Sequence, residues 1–406
     1  MRVDRSLCLK LKKTCGVETV VTKTQALANA KKIHRHIEQY DMVGLVLQGG
    51  GALGSYQGGV FEALSEAGIQ PYWVSGVSIG AINAAIISGN KPENQVTKLK
   101  EFWDMITSHG YASHLTPFNS LRTLHNMASA WSTMLHGIPG FFKPWPINPW
   151  FQIPGKEGAS SFYDTMELYE HLNEVVDWDI LNNKQHRMSV GAVNVETGNR
   201  KYFDTNHERI GPEHVMASGA LPPAFPSVMI NGQHYWDGGI VSNTPLQYLL
   251  EQQKLHDSLV FQVDLFNARG KIPTSIPEVQ ARHKDIMYSS RTRNTTDRYK
   301  GKKDLEIKLR NALERIDPKR RTTEEKALLE ELKQTPQINL LHLIYHHKEY
   351  ESDNKDYEFS KLTMQEHWAA GLEDTRRTLA HDDWFVKPTE QLGVTAHDVH
   401  REEHYD

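Results

Sequence analysis

The segment Gly76-Val77-Ser78-Ile79-Gly80 carries a serine between two glycines, at the junction of an apolar run and an Ala- and Ile-rich stretch. This order predicts a strand, a tight turn and a helix, with the Ser78 hydroxyl exposed where the helix begins. The helix dipole favours negative charge at that position, and glycines at 76 and 80 let the turn form without a Cβ clash. The pattern also occurs by chance in glycine-rich loops, but its position between strand and helix favours a nucleophile.

A second glycine-rich turn, Gln48-Gly49-Gly50-Gly51-Ala52-Leu53-Gly54, follows the apolar run at residues 43–47. Its spacing admits a dinucleotide site, which needs an acidic residue at the end of the next strand, but that strand ends in Val74-Ser75. A phosphate-binding P-loop is excluded because no Gly-Lys-Ser/Thr follows. The turn also suits an oxyanion hole, in which backbone N–H groups point at the oxyanion formed in acyl transfer. Since three successive glycines exceed what a plain turn requires, we favour the oxyanion hole over nucleotide binding.

A serine nucleophile needs a base, and the best candidate is Asp237 in Trp236-Asp237-Gly238-Gly239. A carboxylate with an ordinary pKa of about 3.9 is ionised at neutral pH and can accept the serine proton, although it is a weaker base than imidazole. An Asp-Gly-Gly sequence is also typical of a plain turn. A Ser-His-Asp triad stays open as well, because the chain has 21 histidines, none of which lies in an obvious catalytic motif.

The elements that must position these residues are those of an α/β fold. Runs of β-branched and aliphatic residues predict buried strands, and two of these strands end in the glycine-rich turns, each of which opens a helix. Because the carboxyl ends of neighbouring parallel strands lie at one edge of a sheet, the two turns are predicted to lie side by side. The predicted strands span residues 43–47, 71–74, 188–195, 201–204 and 259–263, and the predicted helices span residues 55–66 and 81–88.

Three further segments have an unusual composition. Residues 24–40 predict an amphipathic helix with a basic face, which either packs on the following domain or contacts anionic lipid. Residues 111–160 are rich in Trp, Phe and Pro, which suits a cap over an apolar substrate, a lipid-contact loop or a connection packed on the body. Residues 282–326 hold 15 Lys and Arg against 8 Asp and Glu, a net charge of +7. This segment suits a packed helix with a solvated basic face or a site for anionic head groups, and Thr322 with Glu325 predicts a capping box.

Composition excludes several classes of protein. The 406 residues, 39% hydrophobic and 24% charged, are those of an ordinary globular protein of two or three domains, or of one α/β unit with additions. A net charge of −4 excludes a globally basic nucleic-acid binder. Two cysteines, Cys8 and Cys15, exclude a disulfide framework and a four-cysteine zinc site, which indicates a reducing compartment. The longest apolar stretch, residues 81–87, is too short to span a bilayer, and residues 1–13 lack the apolar core of a secretory signal.

The two glycine-rich turns and the Asp-Gly-Gly block, in this order, resemble the three blocks of the patatin-like phospholipases. The stretches Ala217-Ser218-Gly219-Ala220-Leu221-Pro222 and Val241-Ser242-Asn243-Thr244-Pro245 are also similar to that family, so that the resemblance covers about residues 41–265. The resemblance implies a Ser-Asp dyad that works without a histidine, and the scheme requires no metal. It implies Ser78 as the nucleophile, Asp237 as the base and Gly49, Gly50 and Gly51 as the oxyanion donors, with Gly54, Gly76, Gly80, Gly238 and Gly239 supporting the motifs.

The chain departs from that family at Leu53, where many members have Arg or Lys. Any part that this cation plays in stabilising the oxyanion or a phosphate is missing, which affects the expected preference for phospholipid more than acyl-ester hydrolysis. After residue 280, the stretches Asp285-Ile286-Met287-Tyr288-Ser289-Ser290-Arg291-Thr292-Arg293 and Lys355-Asp356-Tyr357-Glu358-Phe359-Ser360 resemble the extra C-terminal domain of a bacterial patatin-like subgroup.

We therefore predict a three-layer α/β/α patatin-like sheet with a nucleophile elbow, an N-terminal helix and a mixed, mainly helical C-terminal extension. The predicted units are an N-terminal extension (residues 1–40), a hydrolase domain (residues 41–265) and a basic C-terminal domain (residues 266–406). The predicted function is that of a serine acyl-ester hydrolase of lipase or phospholipase A type, which acts on a lipid or acyl ester, needs no cofactor or metal and binds no nucleic acid. The predicted location is the cytoplasm, with peripheral contact to anionic membranes. The alternatives are a non-catalytic lipid-binding protein and an NAD(P)-binding oxidoreductase.

Overall fold

The computed structural model describes residues 23–107, 119–252, 256–289, 292–333, 336–348, 351, 354–389 and 393–402. Both cysteines, residues 1–13 and the start of the aromatic segment at residues 111–118 lie outside the described residues. The described helices are α1 (Lys23–Ile37), α2 (Ser55–Glu66), α3 (Ile79–Ser88), α4 (Gln95–Thr107), α5 (Asn119–His136), α6 (Met166–Val175), α7 (Trp178–Asn182), α8 (Pro212–Gly219), α9 (Leu246–Gln252), α10 (Ile276–Tyr288), α11 (Thr292–Glu314), α12 (Thr323–Lys333), α13 (Lys361–Ala380) and α14 (Val399–Glu402). The described strands are β1 (Met42–Leu47), β2 (Trp73–Gly76), β3 (Lys143–Pro144), β4 (Tyr163–Asp164), β5 (Arg187–Asn194), β6 (Arg200–Asp204), β7 (Val228–Ile230), β8 (Gln233–Asp237), β9 (Ser258–Asp264), β10 (Ile338–Ile344) and β11 (Val394–Asp398).

Nine of the described strands form one mixed sheet, in the order β11-β10-β9-β1-β2-β5-β8-β7, with β6 paired to β5. The strands from β11 to β5 are parallel, and the pairs of β5 with β6, β5 with β8 and β7 with β8 are antiparallel. The predicted hairpin is confirmed as β5 and β6. The predicted strand at residues 71–74 begins two residues later, because Pro71 has no N–H to donate to the ladder.

Alternate side chains of the parallel strands face opposite sides of the sheet. In β1, Leu45 and Leu47 lie in the main core, which α2, α3 and α13 cover. Val46 points to the other side, where a second core contains Leu249 and Leu250 of α9. Helices therefore cover both faces of the sheet, which confirms the three-layer α/β/α prediction.

Two strands reach the same edge of β5 from opposite ends. Gly76, the last residue of β2, pairs with Val190 in parallel, and Asp237, the last residue of β8, pairs with Ala192 in antiparallel fashion. The opposite edge of β5 is occupied along its length by β6. The turn after β2 and the turn after β8 are consequently brought together.

The C-terminal part shares the sheet and the main core with residues 41–265. Strands β10 and β11 extend the sheet beyond β9, and Trp368 of α13 lies in the main core. This extension is mainly helical, as predicted. The capping box is confirmed, because the Thr322 N–H donates to the Glu325 carboxylate at 2.7 Å and the Glu325 N–H donates to the Thr322 hydroxyl at 3.1 Å.

The predicted N-terminal amphipathic helix is confirmed as α1. Its Ile33 is fully buried in the main core, and its Asn29 side chain donates a hydrogen bond to the carbonyl of Ala380 at 2.9 Å. Of the two interpretations of this helix, these contacts favour packing on the body of the protein.

The contact between α2 and α13 leads to a stability prediction. A Cβ atom added at Gly371 of α13 would overlap the carbonyl oxygen of Tyr56 in α2, so the two helix backbones lie too close for any side chain there. We expect Gly371→Ala to lower the free energy of unfolding by about 1–3 kcal/mol, because the helices must move apart.

Gly301→Ala in α11 is the matched control, since the added Cβ there meets none of the described atoms within 4 Å. We expect it to leave the free energy of unfolding unchanged or to raise it by up to about 1 kcal/mol, as alanine favours helix. Urea denaturation followed by circular dichroism measures both variants, and an equal effect of the two would contradict the close packing.

Candidate active site

Ser78 lies on the sharp turn between β2 and α3, directly before the first residue of the helix. Its φ of 55° and ψ of −126° place it in a region that residues other than glycine rarely adopt, at a cost on the order of 1–3 kcal/mol. Its N–H donates to both the carbonyl and the hydroxyl oxygen of Ser218, each at 3.1 Å. Ser218 in turn donates its hydroxyl proton to the carbonyl of Gly191 at 2.6 Å. Strand β5 and helix α8 therefore hold the strained turn in place.

The glycines on either side of Ser78 are required by close backbone approach. A Cβ atom at Gly76 would overlap the carbonyl oxygen of Gly80, and one at Gly80 would overlap the carbonyl oxygen of Leu47. The turn therefore folds back on β1 as well as on itself. The other supporting glycines also lie at close contacts: Gly54 against Ile79 and Trp103, Gly238 against the carbonyl of Gly191, and Gly239 against Asn243 and Asp237.

Asp237 lies beside Ser78, where β8 ends. The carboxylate is buried, with 2% of the residue exposed, and it accepts a hydrogen bond from the Gly239 N–H at 2.7 Å, while the Ser78 side chain lies close enough to favour its charged form. Burial raises the pKa of Asp237 to about 6, although Gly239 and Ser78 both favour the charged form. At neutral pH the group is an ionised carboxylate with a greater affinity for a proton than an ordinary aspartate.

The glycine turn at residues 49–51 is also next to Ser78, since a Cβ atom at Gly49 would be 3.0 Å from the Cβ of Ser78. The N–H of Gly49 already donates to the carbonyl of Asn243 at 3.2 Å. Within the described part of the chain, the N–H groups of Gly50 and Gly51 donate no hydrogen bond. Of the three predicted oxyanion donors, these two are the ones that remain available to a ligand.

Two polar side chains that the sequence analysis did not single out hold the glycine turn. Asn243 donates from its side-chain amide to the carbonyls of Gly49, at 3.0 Å, and Tyr288, at 3.1 Å. Gln48 donates to the same Tyr288 carbonyl at 3.1 Å, and its side-chain oxygen accepts two backbone N–H groups that follow β9. For Gln48 the sequence contains a signal that could have revealed this role, because a polar residue directly follows a buried strand.

Ser78, Asp237 and the glycine turn open into a pocket of about 940 Å³, including its mouth. Its walls are mainly apolar, and the ring of Phe141 contacts two other phenylalanines, with ring centres 6.2 Å apart for Phe141 and Phe225 and 6.0 Å apart for Phe141 and Phe359. Among the described residues that line the pocket, none is His, Lys or Arg. The geometry thus favours Asp237 over a histidine as the base, and an apolar chamber beside a nucleophile suits a hydrocarbon chain. The apolar lining comprises Ile79, Ile82, Phe141, Phe142, Leu168, Met216, Ala220, Leu221, Ala224, Phe225, Phe266 and Phe359.

The C-terminal part supplies one wall of this pocket. Asp356, Tyr357 and Phe359 line it, and the carbonyl oxygen of Asp356 lies directly against Gly51. None of the predicted site residues lies beyond Gly239, so this wall is visible only in the structure. Only a long-range contact brings it to the glycine turn, and local sequence patterns do not report such contacts.

The aromatic segment divides into two parts. Phe141 and Phe142 line the pocket, in the position expected of a cap. The antiparallel pair of β3 and β4 then carries a hairpin whose tip exposes Trp150 and Phe151, each 83% exposed. Leu53, where many members of the family have a cation, is fully buried in the main core and is not part of the described pocket lining.

Comparisons with known proteins identify the family of this chain. A sequence model described as patatin-like phospholipase matches residues 45–250, just over half of the chain. The chain belongs to the patatin-like phospholipase family. A second model, described as patatin phospholipase, matches residues 286–391, the region of the C-terminal resemblance. No curated protein matches the chain, and a solved structure, VipD from Legionella pneumophila, matches with 16% identity and a TM-score of 0.38 over 84% of this chain and 67% of VipD.

This patatin-like protein is thus expected to have lipase or phospholipase activity in the general sense, with a lipid as its substrate. The family membership leaves the predicted alternative of an NAD(P)-binding oxidoreductase without support. Within the described ranges, no group of His, Cys, Asp and Glu is arranged to hold a metal ion. None of the described helices combines the length and the apolar character needed to cross a membrane.

The burial of Asp237 leads to a prediction about stability. Its pKa is about 6 in the folded chain against an ordinary value of 3.8, so keeping the carboxylate charged costs folding free energy above pH 6. The neutral side chain of Asp237→Asn removes this cost, and we expect the free energy of unfolding at pH 8 to rise by about 2–3 kcal/mol. The gain should shrink as the pH falls from 6 to 4, because the folded wild-type carboxyl then takes up its proton.

Asp204→Asn is the contrasting control. Asp204 is also buried, but it pairs with Arg187 at 2.7 Å, so its replacement should lower the free energy of unfolding. Urea denaturation at several pH values measures both variants. An Asp237→Asn protein that is less stable than the wild type at pH 8 would contradict the prediction.

Proposed function

We propose that this patatin-like protein is a serine acyl-ester hydrolase of phospholipase A or lipase type, with Ser78 and Asp237 as its catalytic dyad. The observation that carries the proposal is the placement of the Ser78 side chain next to the buried Asp237 carboxylate in a mainly apolar pocket, close enough to favour the charged form of that carboxylate. Membership in a phospholipase family supports a lipid ester as the substrate.

In the first step, Asp237 accepts the hydroxyl proton of Ser78 while the serine Oγ attacks the carbonyl carbon of the ester. Burial makes this carboxylate a stronger base than an ordinary aspartate, and above a pH of about 6 most of it is still ionised. The fold places the two side chains next to each other at the pocket before the substrate binds.

The oxyanion that forms on the carbonyl oxygen is held by the N–H groups of Gly50 and Gly51 in this proposal. Gly49 keeps a structural role, because its N–H is bonded to Asn243. Ser78 directly precedes helix α3, whose N-terminal end adds a favourable dipole. Because Leu53 is uncharged, backbone dipoles supply the stabilisation of the oxyanion that a cation at position 53 would otherwise give.

The tetrahedral intermediate then collapses, and the protonated Asp237 gives its proton to the leaving alkoxide, so that an alcohol departs and an acyl-serine remains. Asp237 next takes a proton from water, whose oxygen attacks the acyl carbonyl. Release of the free fatty acid returns the proton to Ser78 and restores the dyad.

We also propose that residues 41–265 and 266–406 act together as one catalytic unit, since both line the pocket. The separate N-terminal extension at residues 1–40 and the cytoplasmic location stay proposals from the sequence. The acyl chain is assigned to the chamber around Phe141, Phe225 and Phe359.

Replacement of either dyad residue is expected to abolish catalysis. Ser78→Ala removes the nucleophile and Asp237→Asn removes the base, and each should lower kcat/KM for a p-nitrophenyl acyl ester by at least about a thousandfold. For the wild type, log kcat/KM should fall with decreasing pH below about 6, where Asp237 becomes protonated. Initial rates over a range of pH measure both effects.

Ser75→Ala is the matched control, because Ser75 lies on β2, the strand that leads to Ser78, but bonds to Ser189 and does not line the pocket. It should keep near-wild-type activity and full labelling of Ser78 by a fluorophosphonate. Near-normal turnover of Asp237→Asn would exclude the dyad, and vesicle binding without any serine labelling would favour the non-catalytic lipid-binding alternative.

A second part of the proposal concerns contact with a lipid surface through the hairpin tip, defined here as residues 147–153. Trp150 and Phe151 are each 83% exposed, and the Asn148 side chain accepts the Trp150 N–H at 3.1 Å, which fixes the turn that presents them. The base of the hairpin adjoins the pocket, since the rings of Phe142 and Tyr163 have centres 4.8 Å apart. Because exposed aromatic side chains favour the membrane interface, we propose that the tip contacts the lipid surface that contains the substrate.

We expect replacement of both Trp150 and Phe151 by Ser to weaken binding to phosphatidylcholine vesicles by at least about tenfold, because the buried apolar area is lost. Hydrolysis of lipid in those vesicles should fall similarly, whereas hydrolysis of soluble p-nitrophenyl butyrate should not change. Vesicle sedimentation, with and without phosphatidylserine, also tests the predicted preference for anionic membranes. Ile272→Ser, at a site 89% exposed outside the tip, is the control, and wild-type vesicle binding by the double variant would refute the proposal.

A further inference from the structure

Two crossed ion pairs join helix α10 to the turn at Lys355–Tyr357, which forms a wall of the pocket. Lys284 donates to the carboxylate of Asp356 at 2.6 Å, and Lys355 donates to the carboxylate of Asp285 at 2.5 Å. Each element thus contributes an adjacent lysine and aspartate, and each lysine pairs with the aspartate of the other element. The side chains of Asp285 and Lys355 are only 2% and 3% exposed.

Both lysines also lie over aromatic rings of the pocket lining. The Nζ of Lys284 is 5.0 Å from the ring centre of Tyr357, and the Nζ of Lys355 is 5.7 Å from that of Phe266. A cation at such a distance from a ring is attracted to it. The two ion pairs are therefore connected directly to the surface that a substrate would meet.

Both joined elements are also held at the glycine turn. The carbonyl of Tyr288, the last residue of α10, accepts hydrogen bonds from Gln48 and Asn243. The carbonyl of Asp356 packs against Gly51. Residues 354–359 consequently lie over the turn to which the oxyanion hole is assigned.

We propose that Lys284, Asp285, Lys355 and Asp356 form a clamp that positions residues 354–359 and thereby completes the substrate pocket. This inference rests on the proposed hydrolase function, because it assigns positioning residues to that same site. Asp285 and Lys355 are not part of the described pocket lining, so they act through their neighbours Tyr357 and Phe359.

The clamp affects substrate binding more than chemistry. A buried charge that loses its partner must reach water or move, so breaking one pair displaces residues 354–359 from the glycine turn. Ser78 and Asp237 are held by β2, β5 and β8, which do not depend on these pairs. An open pocket wall with an intact dyad weakens the binding of a medium or long acyl chain, and the serine keeps its reactivity.

The test compares variants of the clamp pair that does not line the pocket. Asp285→Asn and Lys355→Met should each raise KM for p-nitrophenyl octanoate at least about fivefold and change kcat by less than about threefold. The rate of Ser78 labelling by a small fluorophosphonate should stay at the wild-type value. The double variant Asp285→Lys with Lys355→Asp reverses the pair, and it should return KM to within about twofold of the wild type.

Asp204→Asn is the matched control, because it breaks the buried pair with Arg187 on β5 and β6. It should lower the Tm and leave KM unchanged. An unchanged KM in Asp285→Asn would refute the clamp, and so would a reversed pair that does not restore KM. A rise in activity would also refute it, because the segment would then be an inhibitory lid. Equal loss of Ser78 labelling in Asp285→Asn and Asp204→Asn would refute it as well, since the effect would then be one of folding. Failure of the proposed function itself is distinguishable, because the wild type would then show neither hydrolysis nor labelling.

Discussion

The meeting of β2 and β8 along one edge of β5 is the constraint on which the candidate active site depends. Gly76 pairs with Val190 and Asp237 pairs with Ala192, so backbone register brings the serine turn and the aspartate together. Two strands that approach from opposite ends must stop before they collide, and the turns that end them carry the two reactive groups. The proposed dyad needs only two aligned side chains, so one shared strand edge would be enough to preorganise it.

Two local costs accompany this arrangement. Ser78 adopts a backbone conformation that side chains disfavour, and Asp237 keeps a carboxylate in a buried position that raises its pKa. Each is opposed by specific contacts, from Ser218 to the serine N–H and from Gly239 to the carboxylate. The rest of this free-energy cost is offset by the stability of the whole fold. The C-terminal part contributes to that stability through its strands in the sheet and its residues in the main core.

The features that the sequence predicted are those with a local signal. Strand, glycine turn and helix follow one another within about 40 residues, so periodicity and glycine spacing suffice to find Ser78 and the turn beside it. The pairing of β8 with β5, the support from Asn243 and the pocket wall at residues 354–359 arise from contacts between distant parts of the chain. The crossed pairs illustrate the limit, because Asp285 and Lys355 are ordinary surface residue types whose burial follows only from the tertiary fold.

Reactivity and substrate binding therefore have separate sources in this patatin-like protein. Apart from burial, the groups that set the pKa of Asp237 are Gly239 and Ser78, both within residues 41–265. The wall of the pocket to which the acyl chain is assigned in the proposed function comes partly from Tyr357 and Phe359, which belong to the C-terminal part. A change in that wall alters the shape of the pocket without altering the surroundings of Asp237. In the proposed hydrolase, the sheet would therefore fix what chemistry is available, and the C-terminal segment would help to select the lipid.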